Sequence, residues 1–172
     1  MSDFARAKPA LGVEAPLPSW QVRDGELCDG EEITAAVAEL LVELGATPPP
    51  PRAMREATRA LLEDPRSGAV LVAEAEGALV GVLTASWQSA IHVPGRYGLI
   101  QDLWVHRSWR GRALGGALLA ALAERAHALG VTRIEVGLPK ESFPGLPATE
   151  AFYRANGFEA LGPRMRRVAD ER

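Results

Sequence analysis

Arginine and glycine dominate the seven residues from Arg110 to Gly116. This run lies between a strand-like stretch, Gly98 to Val105, and a strongly helical one, Ala117 to Leu129. Glycine lets a backbone approach an anion closely, and the first N–H groups of a helix have no partners inside the helix. The forked guanidinium of arginine also suits phosphate oxygens. The run therefore predicts a binding site for a phosphorylated ligand.

The run does not match the P-loop or the dinucleotide fingerprint, because the chain lacks both glycine patterns. It resembles motif A of the GCN5-related N-acetyltransferases (GNAT), which reads Arg/Gln-x-x-Gly-x-Gly/Ala shortly after a strand. Here the strand ends in Leu103-Trp104-Val105, a spacer of four residues follows, and Arg110 to Gly115 completes the match. Ala113 replaces the middle glycine of the motif, which implies that a negative φ is acceptable at this position.

A second segment, Ala151 to Phe158, resembles motif B of the same family, with Thr149 in place of its first alanine. The family's tyrosine in this motif lies near the coenzyme sulfur, and Tyr153 matches it. The resemblance thus implies that Tyr153 returns a proton to the leaving thiolate, whereas the alternative is a buried aromatic that only packs. Leu146 stands where the family often has a coenzyme-binding asparagine, so that contact is expected to be missing or replaced.

The resemblance implies an acetyl-CoA-dependent N-acetyltransferase whose acceptor is a primary amine of a small molecule, cationic or not, or of a protein. No covalent intermediate is needed, and the backbone of a splayed strand would supply an oxyanion donor. We expect a side chain at Gly115 to fill the space that the phosphate needs. The residues implied to hold the coenzyme are Leu103, Trp104, Val105, Arg110, Gly111, Arg112, Ala113, Leu114, Gly115 and Gly116.

The departures at Gln101, Ala113 and Leu146 leave one alternative open, a non-catalytic module that binds acyl-CoA. Polyamine- and aminoglycoside-type relatives often have Glu-Asp in the central strand, where this chain has Gln101-Asp102. An amide is not a base, so Asp102 becomes the main carboxylate candidate, with Glu135 on the next strand as a weaker one. Strand alternation predicts that Asp102 and Gln101 face opposite sides. Asp102 would bind a cationic acceptor or order water; the alternative is a structural carboxylate paired with an arginine.

Three tryptophans, Trp87, Trp104 and Trp109, lie near these residues in the sequence. A tryptophan face suits a cation, so Trp87 and Trp104 are candidates to cover a cationic acceptor beside Asp102. The alternative is packing in the core.

Composition excludes several other function classes. The net charge of −3 gives no general attraction to nucleic acid. The single cysteine, Cys28, has no disulfide partner, and the three histidines are scattered, so no metal site is expected. No apolar run reaches the ~20 residues that span a bilayer, and Met1 to Ser19 lacks the apolar centre of a signal peptide. We expect a cytoplasmic protein, and a homodimer stays open because relatives often form one.

The prolines and the lack of periodicity in residues 1–18 predict a poorly ordered arm, and the resemblance implies a single N-acetyltransferase domain over 19–172. The element order is β-α-α-β-β-β-α-β-α-β-β, with a hairpin turning at Glu76-Gly77. The fold class is therefore α/β (α+β): a mixed, mostly antiparallel central sheet with helices on both faces, as in the acetyltransferase fold. The last two strands are predicted at Phe158 to Ala160 and Met165 to Val168.

Overall fold

The computed structural model describes residues 19–162, and the predicted arm and the strand predicted at Met165 to Val168 lie outside them. Five strands form one sheet in the order β1-β2-β3-β4-β5, antiparallel except for the parallel β4–β5 pair. This confirms the predicted fold class. The elements are β1 (Trp20–Asp24), α1 (Gly30–Glu43), α2 (Pro51–Glu63), β2 (Gly68–Ala75), β3 (Ala78–Ala90), β4 (Val93–Val105), α3 (Leu114–Ala128), β5 (Ile134–Val136) and α4 (Leu146–Ala155).

The β2–β3 hairpin turns where the sequence predicts. Glu76 and Gly77 connect the strands with φ values of 53° and 77°. Two central residues with positive φ match the right-handed twist of the flanking strands. The hairpin thereby aligns β2 and β3, and β3 in turn pairs with the long strand β4.

The sheet is covered on both faces, and each face has its own core. One core packs α3 on the sheet through Leu114, Leu118 and Leu122, none more than 1% exposed. The other packs α1 and α2 on the opposite face, around Ile33 and Trp104. Within residues 19–162, no helix has the length and apolarity needed to cross a membrane.

The predicted strand at Phe158 to Ala160 is wrong. The amide of Phe158 donates to the carbonyl of Tyr153 at 3.1 Å, so this segment closes the end of α4 instead of pairing with a strand. The helix predicted from Ala117 begins three residues earlier, at Leu114.

Candidate active site

Strands β4 and β5 separate shortly after they begin to pair. Their register covers three pairs and ends at Ile100 and Val136. Beyond Ile100, no described strand pairs with β4 on that edge, while its other edge stays bonded to β3. The predicted residues Leu103 to Val105 lie on this stretch, so the backbone groups that point to its free edge are available to an extended ligand, apart from the carbonyl of Val105, which accepts from Arg110 Nε.

The loop between β4 and α3 contains two residues with positive φ. Gly111 has a φ of +75°, and Ala113, directly before α3, has a φ of +61° and a ψ of 1°. The prediction that Ala113 has a negative φ is therefore wrong. A non-glycine residue in this region costs roughly 1–2 kcal/mol, and the surrounding fold holds it there.

No side chain caps the beginning of α3. The N–H groups of Leu114, Gly115 and Gly116 belong to its first turn, where a helix has no carbonyl partners for them. Together with the positive end of the helix dipole, these groups suit an anion. The predicted phosphate-binding run is thus placed at a helix N-terminus, as expected.

The two arginines of the run have different surroundings. Arg110 donates from both terminal nitrogens to the two carboxylate oxygens of Glu43, each at 2.7 Å, and from Nε to the carbonyl of Val105 at 3.0 Å. Its guanidinium is therefore already occupied by α1. The guanidinium of Arg112 instead lies 5.0 Å from the centre of the Trp109 ring, and no described carboxylate pairs with it.

Gly115 and Gly116 face α4. A Cβ added at Gly115 would lie 3.1 Å from Phe152 Cζ, and one at Gly116 would lie 3.2 Å from Asn156 Oδ1. A side chain at Gly115 would therefore also press on the Phe152 ring, and the expectation that it would fill the space of the phosphate stays a prediction.

Tyr153, on α4, is 7% exposed. Its ring makes edge contacts with Phe152 and Phe158 at centroid distances of 5.2 and 5.3 Å. Burial raises the pKa of the phenol to about 12, so the hydroxyl keeps its proton at neutral pH. Within residues 19–162 this hydroxyl has no hydrogen-bond partner, which leaves its proton available for a ligand.

A β-bulge at Gln101 alters the predicted alternation in β4. Thr84 pairs with Asp102 and Ala85 pairs with Ile100, so Gln101 is an extra residue. Gln101 donates to Ser86 Oγ at 2.8 Å, and Thr84 Oγ1 donates to Asp102 Oδ2 at 2.5 Å. Because Thr84 and Ser86 share one face of β3, Gln101 and Asp102 face the same side. The prediction that they face opposite sides is wrong.

Asp102 is half-buried and faces α1 and α2. Loss of water raises the pKa of its carboxyl above the ordinary range, and the hydrogen bond from Thr84 opposes that rise. No described arginine pairs with Asp102. The described residues therefore do not form the structural ion pair that was the alternative. Glu135, the weaker candidate, instead forms an ion pair with Arg133 at 2.8 Å.

Asp102 lies in the wall of a cavity of about 230 Å³ between α1, α2 and the sheet. Eight of the eleven lining residues are apolar, and the other three are Thr58, Thr84 and Asp102. The apolar residues of α1, Ile33, Val37 and Leu41, recur every four positions, which is the spacing of one helix face.

The tryptophans do not surround Asp102 together. Trp87 packs in the core under α3, whereas Trp104 packs on the opposite face under α1. The hypothesis that Trp87 and Trp104 jointly cover a cation is therefore corrected, and neither lines the cavity. Trp109 lies at the edge of the α3 core, below Arg112.

Of three further residues in the described part of the chain, Glu43 contacts the loop between β4 and α3, whereas Leu146 and Cys28 show no contact with it. Leu146 begins α4 and has an apolar side chain in place of the family's asparagine. Cys28 is exposed and contacts Glu26, far from these residues in the chain. Glu43 is a partner that the sequence did not reveal, since nothing in its local pattern indicates a contact with Arg110, 67 residues away. No group of side chains in the described residues is arranged to hold a metal.

Comparison with known proteins bears directly on this site. A family model described as the acetyltransferase (GNAT) family matches residues 35–158. An integron cassette protein from the mobile metagenome of Cole Harbour Salt Marsh is 26% identical, with a TM-score of 0.72 over 87% of this chain and 90% of that one. No curated protein matches the sequence.

Two other solved structures share the fold at lower identity. AAC(6′)-Iy, in complex with the bisubstrate analogue CoA-S-monomethyl-acetylneamine, is 17% identical, with a TM-score of 0.74 over 88% of this chain and 99% of that one. An acetyltransferase with acetyl-CoA from Clostridium acetobutylicum is 14% identical, with a TM-score of 0.73 over 87% and 96% of the two chains.

Proposed function

Since the chain belongs to the acetyltransferase (GNAT) family, it is an N-acetyltransferase that uses acetyl-CoA, and we propose that its acceptor is a primary amine held beside Asp102. We also propose that residues 19–172 form one such domain. The observation that carries the proposal is the position of Asp102, two residues beyond the last β4–β5 pair and in the wall of an open cavity. An amine bound there is next to the free edge of β4.

The N-terminus of α3 is the proposed site of the coenzyme pyrophosphate. The N–H groups from Gly111 to Gly116 supply donors at a helix end, and Arg112 supplies a cation that no described carboxylate neutralises. Arg110 contributes indirectly in this scheme, because its bond to Glu43 fixes the loop against α1. Backbone groups on the free edge of β4 between Leu103 and Val105 pair with the extended arm of the coenzyme, while Arg110 occupies the carbonyl of Val105.

Acetyl-CoA supplies the activated acyl group as a thioester. The neutral amine attacks the carbonyl carbon, a C–N bond forms, the C–S bond breaks and the thiol is released. An alkylamine has a pKa near 10.4, so about 1 in 2,500 molecules is neutral at pH 7, and water must carry the lost proton away from the cavity. The hydroxyl of Tyr153 donates a hydrogen bond to the departing thiolate, which takes up a proton from water in place of the one that the amine loses, and N–H groups on the free edge of β4 stabilise the oxyanion.

Asp102 holds the amine in its charged form before that proton is lost. A cation at the carboxylate lowers its pKa again and thereby offsets the effect of burial. A charged hydrogen bond is worth about 1.5–3 kcal/mol, so Asp102→Asn should raise KM for a cationic acceptor by roughly 10- to 100-fold. The value of kcat should change much less, which is the signature of lost ground-state binding.

The pH dependence of KM provides a second measurement on the same variant. The pKa of Asp102 is raised, so its carboxylate is lost at a higher pH than for an ordinary aspartate near 3.9. The KM of the parent should therefore rise as the pH falls through that raised pKa, and the Asp102→Asn variant should lack this rise. An unchanged KM combined with a lower melting temperature would show instead that Asp102 only stabilises the strands.

The activity itself is tested by thiol release from acetyl-CoA against a panel of primary amines. The expected result is release that requires one of the amines, with the acetylated amine identified by mass spectrometry. Binding of acetyl-CoA in calorimetry, without thiol release for any amine, would indicate a non-catalytic acyl-CoA-binding module.

A further inference from the structure

We propose that the acceptor is a monoamine on an aliphatic chain, with its amine at Asp102 and its chain in the cavity between α1 and α2. This inference rests on the proposed function and specifies the class of acceptor. It separates this protein from acetyltransferases that act on polyhydroxylated or polycationic amines.

The walls of the cavity are aliphatic. Ile33, Val37 and Leu41 form one side along α1, and Met54 and Leu61 face them from α2. Apart from Ile33, these side chains are only half-buried, and no residue of α2 is fully buried. A ligand that covers apolar surface open to water lowers the free energy by about 25 cal/mol per Å². An aliphatic chain is the ligand part that matches this wall.

The polar groups of the cavity are few and mostly occupied. Thr58 Oγ1 is hydrogen-bonded to Thr34 Oγ1 at 2.9 Å, and Thr84 Oγ1 donates to Asp102 Oδ2. Among the described residues, the second oxygen of Asp102 has no hydrogen-bond partner. Because Thr34 Oγ1 donates to Thr58 Oγ1, the side chains of the lining offer one strong acceptor, Asp102, and one donor, the hydroxyl of Thr58.

The cavity has too few polar groups for a hydrophilic acceptor. Thr58 can serve one hydroxyl group, but the further hydroxyls of a sugar or a second ammonium group would lose their water without gaining a partner, which costs about 1–3 kcal/mol for a neutral group and more for a charge. Asp102 is the one carboxylate in the lining, so it neutralises a single ammonium group. A monoamine with an apolar body satisfies both conditions.

The size of the cavity sets the length of the chain. A water molecule takes up about 30 Å³ of liquid, and a methylene group is of similar size. The cavity of about 230 Å³ thus has room for roughly seven such groups. We expect the best acceptors to have about five to eight carbons.

The test is a series of unbranched primary amines from ethylamine to decylamine, assayed on the full chain by thiol release. Spermidine and an aminoglycoside provide the hydrophilic comparison. Each buried methylene is worth about 0.8 kcal/mol, so kcat/KM should rise about fourfold per carbon and level off at about seven carbons. The hydrophilic amines should react more slowly than hexylamine.

A matched pair of variants locates the chain in the cavity. Ala57 and Ala60 on α2 are both exposed, but only Ala57 lines the cavity. Ala57→Phe should shorten the best chain by about two or three carbons, and Ala60→Phe should leave the chain-length profile unchanged. Melting curves on both variants report any effect on the fold. The amine series on the parent protein needs neither variant.

The outcomes separate the inference from the function on which it rests. Thiol release with spermidine or the aminoglycoside, together with a kcat/KM that does not depend on chain length, would overturn the aliphatic acceptor and leave the N-acetyltransferase intact. An unchanged profile in folded Ala57→Phe would also overturn it. The absence of release with every amine, despite acetyl-CoA binding, would instead count against the proposed function.

Discussion

Replacement of Tyr153 by phenylalanine removes only the hydroxyl group of the side chain. The ring contacts with Phe152 and Phe158 are retained, because they involve no hydroxyl group. Within residues 19–162 the hydroxyl has no hydrogen-bond partner to lose. Such a change should alter the free energy of unfolding by less than about 0.5 kcal/mol, which shifts the melting temperature of a domain of this size by about 2 °C or less.

The expected kinetic effect follows from the pKa of Tyr153, which burial raises to about 12. An alkyl thiol, with cysteine as reference, has a pKa of about 8.5. Full proton transfer from the phenol to the thiolate is therefore unfavourable by about 3.5 pKa units, or roughly 5 kcal/mol. The hydroxyl should act mainly as a hydrogen-bond donor to the developing charge, a contribution of about 1.5–3 kcal/mol.

Tyr153→Phe should accordingly lower kcat by roughly 10- to 100-fold, with little change in the affinity for acetyl-CoA. The assay is thiol release at saturating acceptor, with calorimetry for the coenzyme. The raised pKa means that the protonated form persists to high pH, so kcat of the parent should show no loss due to Tyr153 below about pH 11. A kcat within twofold of the parent, in a folded variant, would reassign Tyr153 to packing.

Two further changes test the run from Arg110 to Gly116, which is proposed to bind the coenzyme. Gly115→Val forces its side chain against Phe152 and should weaken acetyl-CoA binding at least tenfold, or ~1.4 kcal/mol; unchanged affinity by calorimetry in a folded variant would contradict this. Glu43→Gln removes a partly exposed ion pair with Arg110 and should cost less than about 1 kcal/mol of stability. Arg110 lowers the pKa of Glu43, so this cost, measured by denaturant unfolding, should be present at neutral pH and disappear as the pH falls through that lowered pKa.

The sequence predicts most of the elements and the position of the Arg110 to Gly116 run well, because both depend on local signals. Helical spacing and turn residues act over a few positions. The Arg110 to Gly116 run can be located from the strand before it and the helix after it. The placement of this run at the N-terminus of α3 therefore agrees with the prediction. The conformation of Ala113 does not, since its positive φ is imposed by the fold against the preference of alanine.

Contacts between segments that are distant in the chain are predicted less well from the sequence. The partner of Arg110 is 67 residues away, and the partner of Asp102 is 18 residues away on another strand. Trp87 and Trp104 lie close in the sequence, yet the sheet separates them. Which aromatic residue faces which side is decided by strand register, and one extra residue changes it.

That extra residue, Gln101, links the two halves of the site. With strict alternation after Ile100, Asp102 would point into the leucine core under α3, where an unpaired carboxylate would be strongly disfavoured. The bulge turns Asp102 toward α1 and α2 instead, while Leu103 faces the α3 core. Pairing with β5 ends at Ile100, directly before the bulge, and bulges bend the strand that carries them. One inserted residue thus accounts both for the free edge of β4, where the coenzyme is proposed to bind, and for the carboxylate that is proposed to hold the amine.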